Sequence, residues 1–254
     1  MSFRELLKIE LMKGRRGKIM PLLFVAPLLV VVSGVANLSS YLTPEYTNAW
    51  PAMFIQSALV YAYYLLPFSM LVVCVMIVGR ENAGNGMLKM LALPISRFRL
   101  SLAKFGVLAF YLFMEMAVFF VTFIAAGAVA AHTMGVTETL PVFYLLKWCV
   151  LLFLTMLPAT ACMWAISVLS EKALISVGLN LLLVIPGVLI ANTPLWIVYP
   201  YCYSGYLVSC SLHDFTTAAS DSAFAIFPFL PCAAMVFAGG LALAVIRFGK
   251  KEMR

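Results

Sequence analysis

Charge is scarce in this chain. Asp, Glu, Lys and Arg together make up 11% of its 254 residues, where a soluble domain carries about 25%. That scarcity leaves no room for a soluble domain. Histidine is nearly missing too: His132 and His213 are the only two, and neither falls within an apolar run. A hydrolase built into the apolar part therefore has no histidine base. "YSGYL" at 203–207 pairs a serine with a glycine but has no base at membrane depth. The six cysteines show no metal-ligand spacing. Cys74, Cys149, Cys162 and Cys232 lie within apolar runs and read as small buried side chains, while Cys202 and Cys210 share a later loop in which a disulfide is left open. A phosphate-binding loop is also absent. "GRRGKI" at 14–19 lacks the spacing of that motif and the Ser or Thr that comes after its lysine. No catalytic residue and no metal site is predicted, and the chain cannot hydrolyse ATP alone.

Apolar residues are abundant. They make up 64% of the sequence, in runs long enough to cross a hydrocarbon core roughly 30 Å thick. The fold class is therefore all-α, a polytopic membrane protein with one membrane domain over 1–254. "SFRELLKIELMKGRRGK" opens it. Ser2 and Glu5 fit a capping box, and Phe3, Leu6, Leu7, Leu11 and Met12 fall near one face at helical spacing. Residues 1–18 are too polar to span, so they are expected to lie along the interface with that face in the acyl boundary. No cleavage pattern of a signal peptide closes the first span. Spans are expected over about 19–37, 52–78, 105–131, 148–169, 173–191 and 223–246. A loop at 79–104 and an external segment at 192–222 join spans, and a basic tail at 247–254 ends the chain.

Charge tests that topology. Six spans place both termini on one side, together with the 79–104 loop and the "SEK" turn at 170–172. Sixteen of the 17 Lys and Arg residues then fall on that side, and Lys147 alone lies opposite. Such a bias predicts cytoplasmic termini. It also explains the net charge of +7 as orientation and contact with anionic lipid rather than nucleic-acid binding.

The stretch "GRENAGNGMLKMLALPISRFRL" at 79–100 is thus expected in the cytoplasm. "NGMLKMLAL" can form two helical turns with Asn85 as cap. Met87, Leu88, Met90 and Leu91 give it an apolar surface, Lys89 projects elsewhere, Pro94 stops it, and Ser96 can cap the next helix. A short helix of this kind suits a groove on another protein or a lipid surface. Composition leaves the two readings even.

Glu81, Gly86 and then "LALPISRFRLSLAK" at 91–104 resemble the region between the second and third spans of type 2 ABC permeases. Those proteins carry an acidic residue, a glycine and a Leu-Pro-hydrophobic-Ser-Arg segment there. The resemblance covers the whole chain, from the basic amphipathic start to the irregular segment before the last span. Within that superfamily, "ELLKIELMKGRRGKIMPLLF" and the loop with Trp50 look most similar to lantibiotic-immunity permeases. The resemblance implies a type V exporter-like architecture and a division of labour. Two permeases, here this chain and a second related one, sit on two copies of an ATPase that binds ATP and Mg. A coupling helix enters a cleft in each ATPase, and ATP-driven closure moves it. Glu81, Gly86, Leu91, Pro94, Ser96 and Arg97 match the motif, and the segment Met87, Leu88, Lys89, Met90, Leu91 and Ala92 is expected to dock. The basic N-terminal helix would be the second contact on the ATPase side. The implied cargo is a cationic antimicrobial peptide.

Two further features bear on a transport path. Glu115 lies about eleven residues into the third span, roughly 16 Å at helical rise. A carboxylate there is costly and marks either a pathway or a bond between helices. The sequence leaves both open. Outside, Glu45, Glu138, Asp214, Asp221 and Trp196 are candidate peptide contacts, although orientation alone also depletes outer loops of Lys and Arg. Trp196, Tyr199, Tyr201, Tyr203 and Tyr206 read as an interfacial aromatic belt.

Overall fold

A computed structural model describes residues 3–15, 19–41, 49–82, 96–134, 139–170, 172–213, 224 and 226–250. Every regular element among them is helical. The reason is the solvent: without water, each backbone amide and carbonyl needs a partner within its own segment. In order, the helices are α1 (Phe3–Arg15), α2 (Ile19–Ala36), α3 (Ala49–Val60), α4 (Leu66–Asn82), α5 (Arg97–Met134), α6 (Val142–Leu169), α7 (Ala173–Val184), α8 (Gly187–Ala191), α9 (Tyr203–His213) and α10 (Ile226–Lys250). A π-helical turn at Tyr61–Leu65 joins α3 to α4. Among the described residues, six stretches are long and apolar enough to cross a membrane: Ile19–Ala36, Ser57–Gly79, Arg97–Thr133, Val142–Leu169, Ala173–Ala191 and Ile226–Gly249.

The third span starts earlier than hydropathy suggests. Residues 97–104, expected in the cytoplasmic loop, form the first two turns of α5. Hydropathy marks the apolar layer, whereas a helix continues through charged residues that are good helix formers. With 38 residues, α5 measures about 57 Å, well beyond a core of roughly 30 Å.

Packing depends on aromatic contacts and on small residues, since lipid gives helices no hydrophobic reason to associate. Phe54 of α3 sits at the centre. Its ring lies 5.7 Å from Phe119 and 5.4 Å from Phe123 of α5, and 6.1 Å and 6.4 Å from Tyr144 and Trp148 of α6. Such ring pairs each add about 0.5–1.5 kcal/mol beyond their buried area. Helix α10 lies close along α6. A side chain at Gly240 would come within 3.3 Å of the Ala161–Cys162 backbone. Helix α7 presents Leu174, Ile175, Leu179 and Leu182 outward. Its inner side is polar: Ser167 and Ser176 share a hydrogen bond of 2.8 Å, and the Tyr201 hydroxyl donates to Asn180 Oδ1 at 3.0 Å.

Candidate functional site

Three polar clusters run along the bundle, starting at the end that carries α1. The first joins α1 to the early part of α5. Leu6, Glu10 and Gly14 recur every four residues and form the face of α1 that is buried. The Glu10 carboxylate accepts from Lys104 Nζ at 2.9 Å and from Lys13 Nζ at 2.7 Å, and Lys104 is 1% exposed. Either side of this pair the helices touch. A side chain at Gly14 would collide with the Tyr111 hydroxyl, and one at Gly106 would meet Leu7. Helix α1 therefore docks on protein through a stripe that includes a carboxylate. The expected lipid-facing stripe is split, with Leu6 buried and Phe3 and Met12 exposed. Lys104, expected as an orientation charge, is a buried partner instead. Burial alone would raise the Glu10 pKa, but Lys104 and Lys13 outweigh it and hold the carboxyl below its ordinary 4.5.

That direction sets a pH dependence. A carboxyl with a depressed folded pKa contributes stability that is complete above its unfolded value and is lost as pH falls through the folded one. The α1 clamp should therefore hold at neutral pH and weaken below about 4.5. Melting midpoints across that range should fall for the native chain and much less for Glu10→Gln. Parallel profiles would refute it.

At the same end of the bundle, the Ser96 carbonyl accepts the Leu100 amide at 3.1 Å as α5 begins. Arg97 then donates from Nη1 to the Gly249 carbonyl at 3.3 Å, neutralising the electronegative end of α10. The Phe98 ring covers Gly249. Arg97, with Phe98 beside it, thus joins the start of the third span to the end of the sixth. Gly86, Met87, Leu88, Lys89, Met90, Leu91, Ala92 and Pro94 lie outside the described residues, and Glu81 belongs to the last turn of α4.

The second cluster surrounds Glu115, half-way along α5 and 0% exposed. Its partners come from the π turn and from α4. Ser69 Oγ lies 2.6 Å and 2.7 Å from the two carboxyl oxygens and 2.9 Å from the Leu66 carbonyl, and the Tyr61 hydroxyl donates to Oε1 at 3.3 Å. Tyr61 also stacks on Phe119 at 4.7 Å. The geometry is that of a bond between helices. Ser69 has one proton and three oxygens within reach, so the cluster has room for another donor. An amide supplies one. Glu115→Gln should therefore assemble with native stability. Glu115→Leu, which strips Tyr61 and Ser69 of their acceptor, should cost about 1–3 kcal/mol. Denaturant titration of both variants checks the difference.

The third cluster is residues 192–213, called the outer segment after the side on which the charge pattern expects it. Short 3₁₀ turns at Pro194–Ile197 and Pro200–Cys202 lead into α9, which folds back against the bundle. The expected aromatic belt turns inward instead. Trp196, Tyr201 and Tyr203 are 9%, 3% and 0% exposed. The Tyr199 hydroxyl donates to the Leu183 carbonyl and that of Tyr203 to Ile197. Trp196 stacks on Tyr206 at 4.3 Å and edges a cavity of about 360 Å³ with Asn192, Thr193 and Ser209. Cys202 and Cys210 are buried thiols and do not form a disulfide. Glu45, Glu138, Asp214 and Asp221 lie outside the described residues. Helix α9 grips the π turn: Ser204 donates to the Ala62 carbonyl at 2.9 Å, Tyr63 shares a 3.3 Å hydrogen bond with Ser209, and Gly205 abuts the Tyr63 ring. The π turn thus contacts Glu115 through Tyr61 and the outer segment through Ala62 and Tyr63. Nothing in the local sequence signals it, because its partners are remote along the chain.

No curated protein matches the sequence. Residues 6–187 match the family described as ABC-2 family transporter protein. That stretch holds the α1 clamp, Arg97 and the Glu115 cluster, whereas the outer segment and α10 lie beyond it. With most of its length matched and six membrane-length helices, the chain belongs to the ABC-2 transporter family and forms the membrane component of such a transporter.

Proposed function

We propose that this chain is the permease subunit of an ATP-driven exporter that expels a lantibiotic or related cationic antimicrobial peptide from the membrane and so confers immunity. It works in a bacterial plasma membrane with both termini in the cytoplasm. Separate ATPase subunits bind ATP and Mg, and a second, related permease completes the pore. Membership in the ABC-2 family implies the ATPase partner. The observation that carries the coupling is the way α5 is held at its start. Arg97 ties it to α10, and Lys104 ties it to α1. A force applied through residues 87–92 arrives at Ser96 and is shared at once by three helices. Helix α1 then moves with α5 as one body and carries the second ATPase contact with it. The peptide cargo rests on the resemblance of residues 5–24 and of the Trp50 region to immunity permeases.

Co-purification tests the coupling. A tagged chain should retain an ATPase subunit, and deletion of residues 87–92 should release it and abolish protection. Retention and full protection after the deletion would end this reading. Cargo is tested separately: loss of the chain should sensitise cells to at least one lantibiotic. Unchanged sensitivity to all of them would redirect the reading to another exported substrate.

A further inference from the structure

A groove of about 670 Å³ runs between α6, α9 and α10, within the roughly 300–1,000 Å³ of small-ligand sites. Pro158, which cannot donate to the α6 backbone ladder, lines it, and α10 contributes the small Ala233 and Ala234 beside the larger Phe229, Leu230 and Phe237. Its wall is almost wholly apolar. The two hydroxyl groups in it are engaged by their own helices, Thr155 with the Leu151 carbonyl and Ser211 with that of Leu207. One lining residue is charged: Lys147, exposed, and paired with no carboxylate among the described residues. It is also the single basic residue that the charge pattern leaves on the outer side. From Lys147 to Pro158 the groove runs along eleven residues of α6, or about 16 Å at helical rise. That is half of a core roughly 30 Å thick, the depth of one leaflet.

We infer that this groove seats an anionic glycerophospholipid of the outer leaflet. The phosphate rests on Lys147 and one acyl chain lies along the apolar wall. Charge decides the occupant. A cationic peptide meets a like charge at the rim and no carboxylate among the lining residues, whereas a lipid phosphate finds its counter-ion at headgroup level and its chain finds one leaflet of apolar surface. The site is thus separate from the peptide cargo proposed above and goes beyond it. A bound lipid here would wedge α9 and α10 against α6, the three elements that frame the outer side.

Native mass spectrometry on the full chain, purified with the subunits that accompany it and released from micelles containing phosphatidylglycerol and phosphatidylcholine, tests this. One phosphatidylglycerol per chain should be retained in preference to phosphatidylcholine. A lysine near the surface favours an anionic lipid by about fivefold, so Lys147→Gln should reduce phosphatidylglycerol retention by about that factor and leave phosphatidylcholine unchanged. Ala234→Trp, which fills the groove, should reduce both. Equal retention of the two lipids by the native chain, or undiminished phosphatidylglycerol in Lys147→Gln, overturns the inference. So does a disulfide between two copies carrying Leu154→Cys and Leu230→Cys, which would assign the groove to a second chain.

Discussion

Lys104→Met should destabilise the protein by about 3 kcal/mol. Breaking a buried ion pair from one side typically costs about 3–5 kcal/mol, because the remaining charge is left without compensation. Here Glu10 is 7% exposed and, among the described residues, keeps only Lys13, a lysine whose side chain is 46% exposed and well solvated. That second contact brings the cost to the low end of the range. Met nearly preserves the volume and stem of the lysine, so packing loss contributes little. The decisive comparison is Lys104→Met with Glu10→Leu. Removing both charges from an apolar contact is often neutral or stabilising, so the double variant should recover most of the loss. Denaturant unfolding of the two variants measures it. Equal destabilisation in the single and double variants would mean that shape, not charge, holds α1 to α5.

Gly205→Leu should undock α9. A side chain there would start 2.2 Å from the Tyr63 ring, far inside van der Waals contact. Tyr63 has nowhere to go: it is 6% exposed and its hydroxyl is bonded to Ser209. Overpacking costs about 1–3 kcal/mol when neighbours can adjust, and here an aromatic ring and a helix backbone would both have to move. The Ser204 bond to the Ala62 carbonyl goes with them. Cys202, a thiol with 0% exposure, reports the change. Maleimide labelling at Cys202 should be slow in the native chain and fast in Gly205→Leu. Gly178→Leu, at a glycine with open space around it, is the control and should label slowly. Slow labelling of Gly205→Leu would show that the outer segment tolerates a side chain the geometry forbids.

The expectations that fail do so for two reasons, partners that are remote along the chain and a helix that outruns the apolar layer. Periodicity gives the N-terminal helix a lipid-facing stripe of Phe3, Leu6, Leu7, Leu11 and Met12, yet the buried stripe contains Glu10. That glutamate belongs inside only because Lys104, 94 positions away, meets it. The tyrosines of the outer segment suit a headgroup belt until the segment folds onto the bundle, where the Leu183 and Ile197 carbonyls accept from Tyr199 and Tyr203. Glu115 is visible as an anomaly in an apolar run, but its partners Ser69 and Tyr61 stand 46 and 54 positions away. The start of α5 at Arg97 is hidden because charge ends a hydropathy peak without ending a helix.

By itself the sequence determined the solvent, the helical class, the number of spans and the kinship with ABC permeases. Those come from local quantities: run length, the side on which Lys and Arg collect, and a short motif at 81–97. Tertiary structure alone decided which face of each helix meets protein. In water a hydrophobic stripe marks the inner face. In a bilayer lipid is as apolar as the protein interior, so the apolar faces of α2, α7 and α10 look alike from either side. The choice falls to a few polar pairs, glycine contacts and ring stacks, and their partners are known only once the chain has folded.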